Sequence, residues 1–111
     1  MADGRMDAKT EQSRVPDIAK NVRTLEWLKA ELIGSTGSTL KAILRGDEVE
    51  ICDELAGVML SCYLLGRHLG ISPLRLETAL RALIKLNIEE EHELEKWYGD
   101  FTAVQSYLEG R

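Results

Sequence analysis

Three groups of residues in this sequence have types and spacings that could do chemistry. Glu50, Asp53 and Glu54 are the first: Glu50 and Glu54 sit one helical turn apart on a shared face, with Asp53 at its border. Carboxylates so placed can hold Mg²⁺, a hard cation that takes oxygen ligands and usually keeps several waters; the same acidic turn also serves as an ordinary solvated surface. The second is the run from Glu89 to Glu95, in which Glu89 and His92 have the Glu-x-x-His spacing of di-metal bundles. Such a centre needs a second copy of the motif, and the other histidine, His68, has no glutamate three residues before it. A solvated helix start, with glutamates favoured by the helix dipole, is the competing reading. The third is Gly34-Ser35-Thr36-Gly37-Ser38-Thr39. A phosphate-binding loop would need a strand before it and Gly-Lys-Ser/Thr at its end, whereas Lys41 follows Leu40 here. For nucleophilic catalysis there is little: Cys52 and Cys62 have no histidine partner in sequence, and Ser61, between Leu60 and Cys62, reads as a packed serine.

The elements that must position these groups are helices. Asp47 can accept from free N–H groups of a first turn, with Glu50 at the capping-box spacing. Ile51, Leu55, Val58, Met59, Cys62, Leu65 and Leu69 then recur at steps of three and four up to Gly70 and Pro73. This stretch is expected to be the central and most buried helix, carrying both thiols inward. Before it, Pro16-Asp17 opens a helix with the apolar stripe Ile18, Val22, Leu25, Leu28 and Leu32, with Trp27 off the stripe. At Gly34–Thr39 that helix either breaks or continues with small residues that let a neighbour approach closely. Leu40, Ile43 and Leu44 resume the pattern until Arg45-Gly46 stops it. Ser72-Pro73 starts a helix with Leu76, Leu80, Leu83 and Ile84 inward; Asn87 and Glu90 predict a further helix from near Ile88, and Asp100 caps a last one. No segment alternates with period two. The expected fold is all-α, a bundle of four or five helices completed by oligomerisation, over residues 15–109, with residues 1–14 a disordered polar tail.

Composition narrows the classes of function. A net charge of −5 argues against a general nucleic-acid binder and against attraction to an anionic membrane. No apolar run approaches the roughly 20 residues that span a bilayer, and the first residues lack a signal peptide's apolar core. Cys52 and Cys62 lie about 15 Å apart along one predicted helix and cannot pair with each other there. Reduced thiols in a cytoplasmic protein are the expectation.

The stretch Ile88-Glu-Glu-Glu-His-Glu-Leu-Glu-Lys-Trp-Tyr-Gly-Asp100, supported by Leu64–Ile71 and Glu26–Leu32, resembles the short bacterial branch of the MazG-like family. The likeness runs from Asp17 to Leu108. It implies the all-α nucleoside triphosphate pyrophosphohydrolase fold and assembly as a homodimer or dimer of dimers. Leu74, Trp97 and Tyr107 are candidates for the contact. Active relatives carry Glu-Glu-x-x-Glu on one helix and Glu-x-x-Asp on the next, which together hold Mg²⁺ ions that bind the triphosphate and activate water. Here the second motif falls on Glu54-Leu-Ala-Gly57, so Glu54 fits while Gly57 stands in the aspartate's place. The first falls on Gly34-Ser-Thr-Gly-Ser38, with Gly34, Ser35 and Ser38 at the glutamate positions and Glu31 one turn earlier. The resemblance therefore offers Glu54, Asp53, Glu50 and Glu31 as metal ligands, and Gly34, Ser35, Ser38 and Gly57 as lining of the former substrate cleft.

Three functions follow. The chain is a MazG-like protein with weak or no hydrolysis, kept for nucleotide binding or assembly; or a working Mg²⁺-dependent pyrophosphohydrolase releasing monophosphate and pyrophosphate; or a helical oligomerisation module that binds no nucleotide. Missing carboxylates favour the first and third.

Overall fold

The computed structural model describes the backbone of residues 3–110 and the side chains of residues 17–110. The first helix begins at Asp3, ahead of the start expected at Pro16-Asp17, and takes in residues expected as a polar tail, whose side chains lie outside the description. Five helices follow one another, with no β-strand among the described residues: α1 Asp3–Arg45, α2 Glu48–His68, α3 Pro73–Glu89, α4 Glu93–Tyr98 and α5 Asp100–Glu109. Packing divides them into two compact units, Met1–Gly70 and Ile71–Arg111. No helix of the described residues is long and apolar enough to cross a membrane.

In the first unit α1 and α2 form a helical hairpin. Gly46, at φ +75°, stops α1, its N–H donating to Ala42 O at 3.0 Å and Ile43 O at 3.1 Å. A side chain is strained at that φ, which is why the glycine suits the stop. Asp47 then caps α2 as expected, its Oδ1 accepting from Val49 N at 3.1 Å and Glu50 N at 3.3 Å. The Glu50 carboxylate does not close a capping box. It takes a hydrogen bond from Arg45 instead, and this bond, followed by the charges of Glu50, Glu54 and Asp47, pushes the guanidinium further above its usual range.

Gly34–Thr39 does not break α1. The Thr36 hydroxyl donates to Leu32 O at 2.8 Å and that of Thr39 to Ser35 O at 2.7 Å, so groups that compete with a helix here bond along it. Of these small residues Ser35 is the one beside Gly57 of α2, while Gly34 and Gly37 have open space where a side chain would be. A Cβ added at Gly57 would lie 3.7 Å from Ser35 Oγ, at ordinary contact distance. Leu28, Thr39 and Ala42 of α1 are buried, as are Ser61 and Gly66 of α2.

Burial corrects two expectations. The helix α2 is not wrapped in core: Leu55 is 49% exposed and Met59 61% exposed, and both cysteines are free and exposed. Of the α1 stripe, Leu28 is buried while Ile18 and Val22 are exposed. A hairpin covers one face of each helix, and the apolar pattern is wider than that face.

In the second unit Ser72 Oγ accepts from Arg75 N at 3.1 Å and Pro73 occupies the first turn of α3. Ile84 is buried as expected; Leu80 and Leu83 are exposed. The helix expected to begin near Ile88 does not, because α3 runs on to Glu89 and Asn87 Nδ2 donates back to Leu83 O. The stop comes at Glu91, at φ +55°, with His92 N donating to Asn87 O at 3.0 Å. This is a Schellman-type ending with a glutamate in the left-handed position that glycine usually takes.

The start of α5 is capped from a distance. Glu95 accepts from Thr102 N at 3.0 Å and from the Thr102 hydroxyl, and Asp100 makes no capping bond. Those bonds, the hydroxyl's first, hold the Glu95 carboxyl below the usual carboxylate range. With a depressed folded-state pKa, the stabilisation is fully present above the unfolded pKa and is lost as pH falls through the folded one. Amide exchange at Thr102 N–H should therefore accelerate as pH drops through that window, beyond the intrinsic trend, and Glu95→Ala should abolish the pH-dependent part. An identical profile in the variant would show that Glu95 does not cap α5.

Candidate functional site

The cleft of the hairpin, about 160 Å³, lies between α1 and α2. Its polar lining is Glu31, Ser35 and Ser61 beside the bare backbone of Gly57, and Trp27, Leu28, Leu60 and Leu64 supply the apolar walls. Antiparallel helices bring positions far apart in sequence to one level, so the residues one turn apart on α1 meet residues one turn apart on α2.

Of the residues expected to act together, the fold unites Glu31, Ser35 and Gly57 and disperses the rest. Gly34 is exposed, with open space where its side chain would be, and Ser38 is half-buried outside the cleft lining. Asp53 is exposed, and Glu50 is engaged by Arg45. Glu54 is half-buried and near enough to Arg45 to strengthen the field on it. Among the described residues, no three His, Cys, Asp or Glu side chains are grouped so as to hold a metal ion. Mg²⁺ takes several oxygen ligands in a near-octahedral array. One carboxylate and two hydroxyls in the cleft do not make that set, so the residues of a single chain do not fit the ion.

Sequence reasoning missed two features of this site. Ser61 is buried, as a packed serine is, and it also lines the cleft; its place four residues after Gly57 is the sequence signal for this. Trp27, off the apolar stripe, forms a wall of the cleft while remaining 59% exposed.

The other two chemical candidates are absorbed by structure. His92 caps α4, its Nδ1 accepting from Leu94 N at 3.0 Å, and its ring meets Phe101 edge-on at 5.2 Å. Glu89 lies 3.9 Å from Lys85. The glycine-serine stretch is helix, without a loop of N–H groups to cradle a phosphate. A second cavity, about 240 Å³, lies between α3 and α5 beside Arg81, Lys85 and Gln105. Its arginine donates to Leu108 O at 2.8 Å and so satisfies a carbonyl in the last turn of α5.

Five helices with no strand among the described residues, and in the first unit a cleft between two antiparallel helices, define an all-α protein. The chain belongs to the MazG-like family, whose model matches residues 18–101, from α1 into the first turn of α5. It is thereby related to the nucleoside triphosphate pyrophosphohydrolase superfamily. No curated protein and no solved structure matches it.

Proposed function

We propose that this protein is a MazG-like scaffold without effective pyrophosphohydrolase activity, retained for assembly and for nucleotide binding. The observation that carries the reading is the cleft between α1 and α2, where Glu31 is the one carboxylate in a lining otherwise of hydroxyls, glycine and apolar groups. A triphosphate repels an attacking hydroxide until metal neutralises it, and the family's carboxylates supply that metal. One chain's cleft, about 160 Å³, is smaller than the roughly 300–1,000 Å³ of pockets that enclose small ligands, so nucleotide binding depends on assembly.

The scaffold assembles with itself, as a homodimer or dimer of dimers. Support comes from the apolar surface that one chain leaves open: Ile33 is 74% exposed, Leu44 86% and Leu74 73%. Trp97 and Tyr107 are exposed as well. Covering such side chains stabilises by about 25 cal/mol for each Å² removed from water. The protein would work in the cytoplasm, where its free thiols stay reduced.

The test is pyrophosphate release from a panel of ribo- and deoxyribonucleoside triphosphates with Mg²⁺ or Mn²⁺, wild type beside Glu54→Ala. Both are expected to match the protein-free control, while nucleotide raises the melting temperature of the wild type. Turnover by the wild type that disappears in the variant would overturn the reading in favour of a working hydrolase. A melting temperature indifferent to every nucleotide would leave assembly alone as the function.

A further inference from the structure

The face of α2 turned away from α1 carries four residues in the order Cys52, Leu55, Met59, Cys62. Both cysteines are exposed, as are Leu55 and Met59, while Gly57, Ser61 and Leu64 on the other side line the cleft. Steps of three, four and three are those of a seam between two paired helices. The order is also the same read backwards: a thiol at each end and, at each inner position, a long apolar side chain unbranched at Cβ. Leucine and methionine exchange in packing at small cost. A twofold interface demands this kind of symmetry, because one surface must complement itself.

Charge selects the direction of pairing. The first turn of α2 is acidic, with Glu48 and Glu50 after the capping Asp47, and its last turn is basic, with Arg67 and His68. Two copies side by side in parallel would set like against like at both ends. Two antiparallel copies set each acidic end beside a basic end, and their helix dipoles oppose. With Cys52 facing the partner's Cys62, Leu55 faces the partner's Met59, and Asp47 comes level with the partner's Arg67.

We propose that α2 is the self-pairing helix of this protein. Two copies dock antiparallel through Cys52, Leu55, Met59 and Cys62, about a twofold axis midway between Leu55 and Met59. The proposal rests on the self-assembly inferred above and specifies its surface and register.

A short bismaleimide added to the full reduced chain tests it. Within one chain the two thiols are about 15 Å apart along α2, beyond a short linker. Between paired chains they are adjacent. Wild type should give a covalent dimer on a denaturing gel. Cys52→Ser and Cys62→Ser, each alone, should give roughly tenfold less, since like cysteines lie at opposite ends of the antiparallel pair. Mixed in equal amounts, the two variants should recover about half the wild-type yield, the share of mixed dimers that random pairing produces. Light scattering and far-ultraviolet circular dichroism are run on the same samples. Dimers whose single variants cross-link as well as wild type, or whose mixture recovers nothing, would overturn the register and leave self-assembly standing. A helical monomer at about 100 µM, well above the concentrations at which specific dimers form, would overturn both.

Discussion

Leu28→Ala should cost about 2–5 kcal/mol of stability, the range for deleting a buried leucine side chain. Leu28 is 3% exposed on α1, where it faces α2 and forms a wall of the cleft. Among the described residues the hairpin's other buried positions, Thr39, Ala42, Ser61 and Gly66, are all small. Domains of this size are stable by about 5–15 kcal/mol, so the change removes a large share. A loss of ~3 kcal/mol corresponds to a fall of roughly 10–20 °C in melting temperature. The measurement is urea unfolding of a Trp97→Phe protein, in which Trp27, the neighbour of Leu28, is the remaining tryptophan. An unchanged midpoint would mean that Leu28 does not pack the hairpin.

Ile84→Ala should have an effect of the same order in the second unit. Ile84 is 5% exposed on α3, and with Leu108, at 7%, it joins α3 to α5. Both line the 240 Å³ cavity, so truncation enlarges an existing gap. The cost depends on how far Arg81 and Lys85 can move to fill it, with about 2–5 kcal/mol expected. Here the background is Trp27→Phe, leaving Trp97 of α4 to report. A shift below about 0.5 kcal/mol, the level of ordinary surface substitutions, would contradict the burial of Ile84.

The two substitutions also show why some of this protein could be read from its sequence and some could not. Leu28 and Ile84 both lie on apolar stripes, and both are buried. Ile18 and Val22 belong to the same stripe as Leu28, and Leu83 to the same as Ile84, yet these are exposed. Periodicity marks the apolar side of a helix; only the neighbour's extent says how much of that side is covered. In α2 the same pattern is covered only in part: Ile51, Val58 and Leu65 are half-buried, while Leu55, Met59 and Leu69 are exposed.

The candidate site divides along similar lines. That Gly57 and Ser35 belong together followed from the family resemblance, and the hairpin brings them to contact distance. That Glu50 turns to Arg45 rather than toward Glu54 did not follow, because an arginine just before the turn competes for the carboxylate. The acidic run from Glu89 supplied a helix stop, a cap for α4 and a distant cap for α5. Each of these uses a residue type that also fits a metal ligand, and type alone does not distinguish them.

By itself, the sequence determined the local decisions. Gly46 and Gly70 end helices, Asp47 and Ser72 begin them, and Gly99 separates α4 from α5. These depend on φ angles and on hydrogen bonds spanning two to five residues, so the information lies side by side in the chain. The tertiary structure decided that Gly34–Thr39 runs on as helix against α2, that Ser61 joins Glu31 in one cleft, and that Glu95 serves the start of α5. Those outcomes depend on surfaces and donors brought together from distant positions, where packing against a neighbour outweighs local propensity.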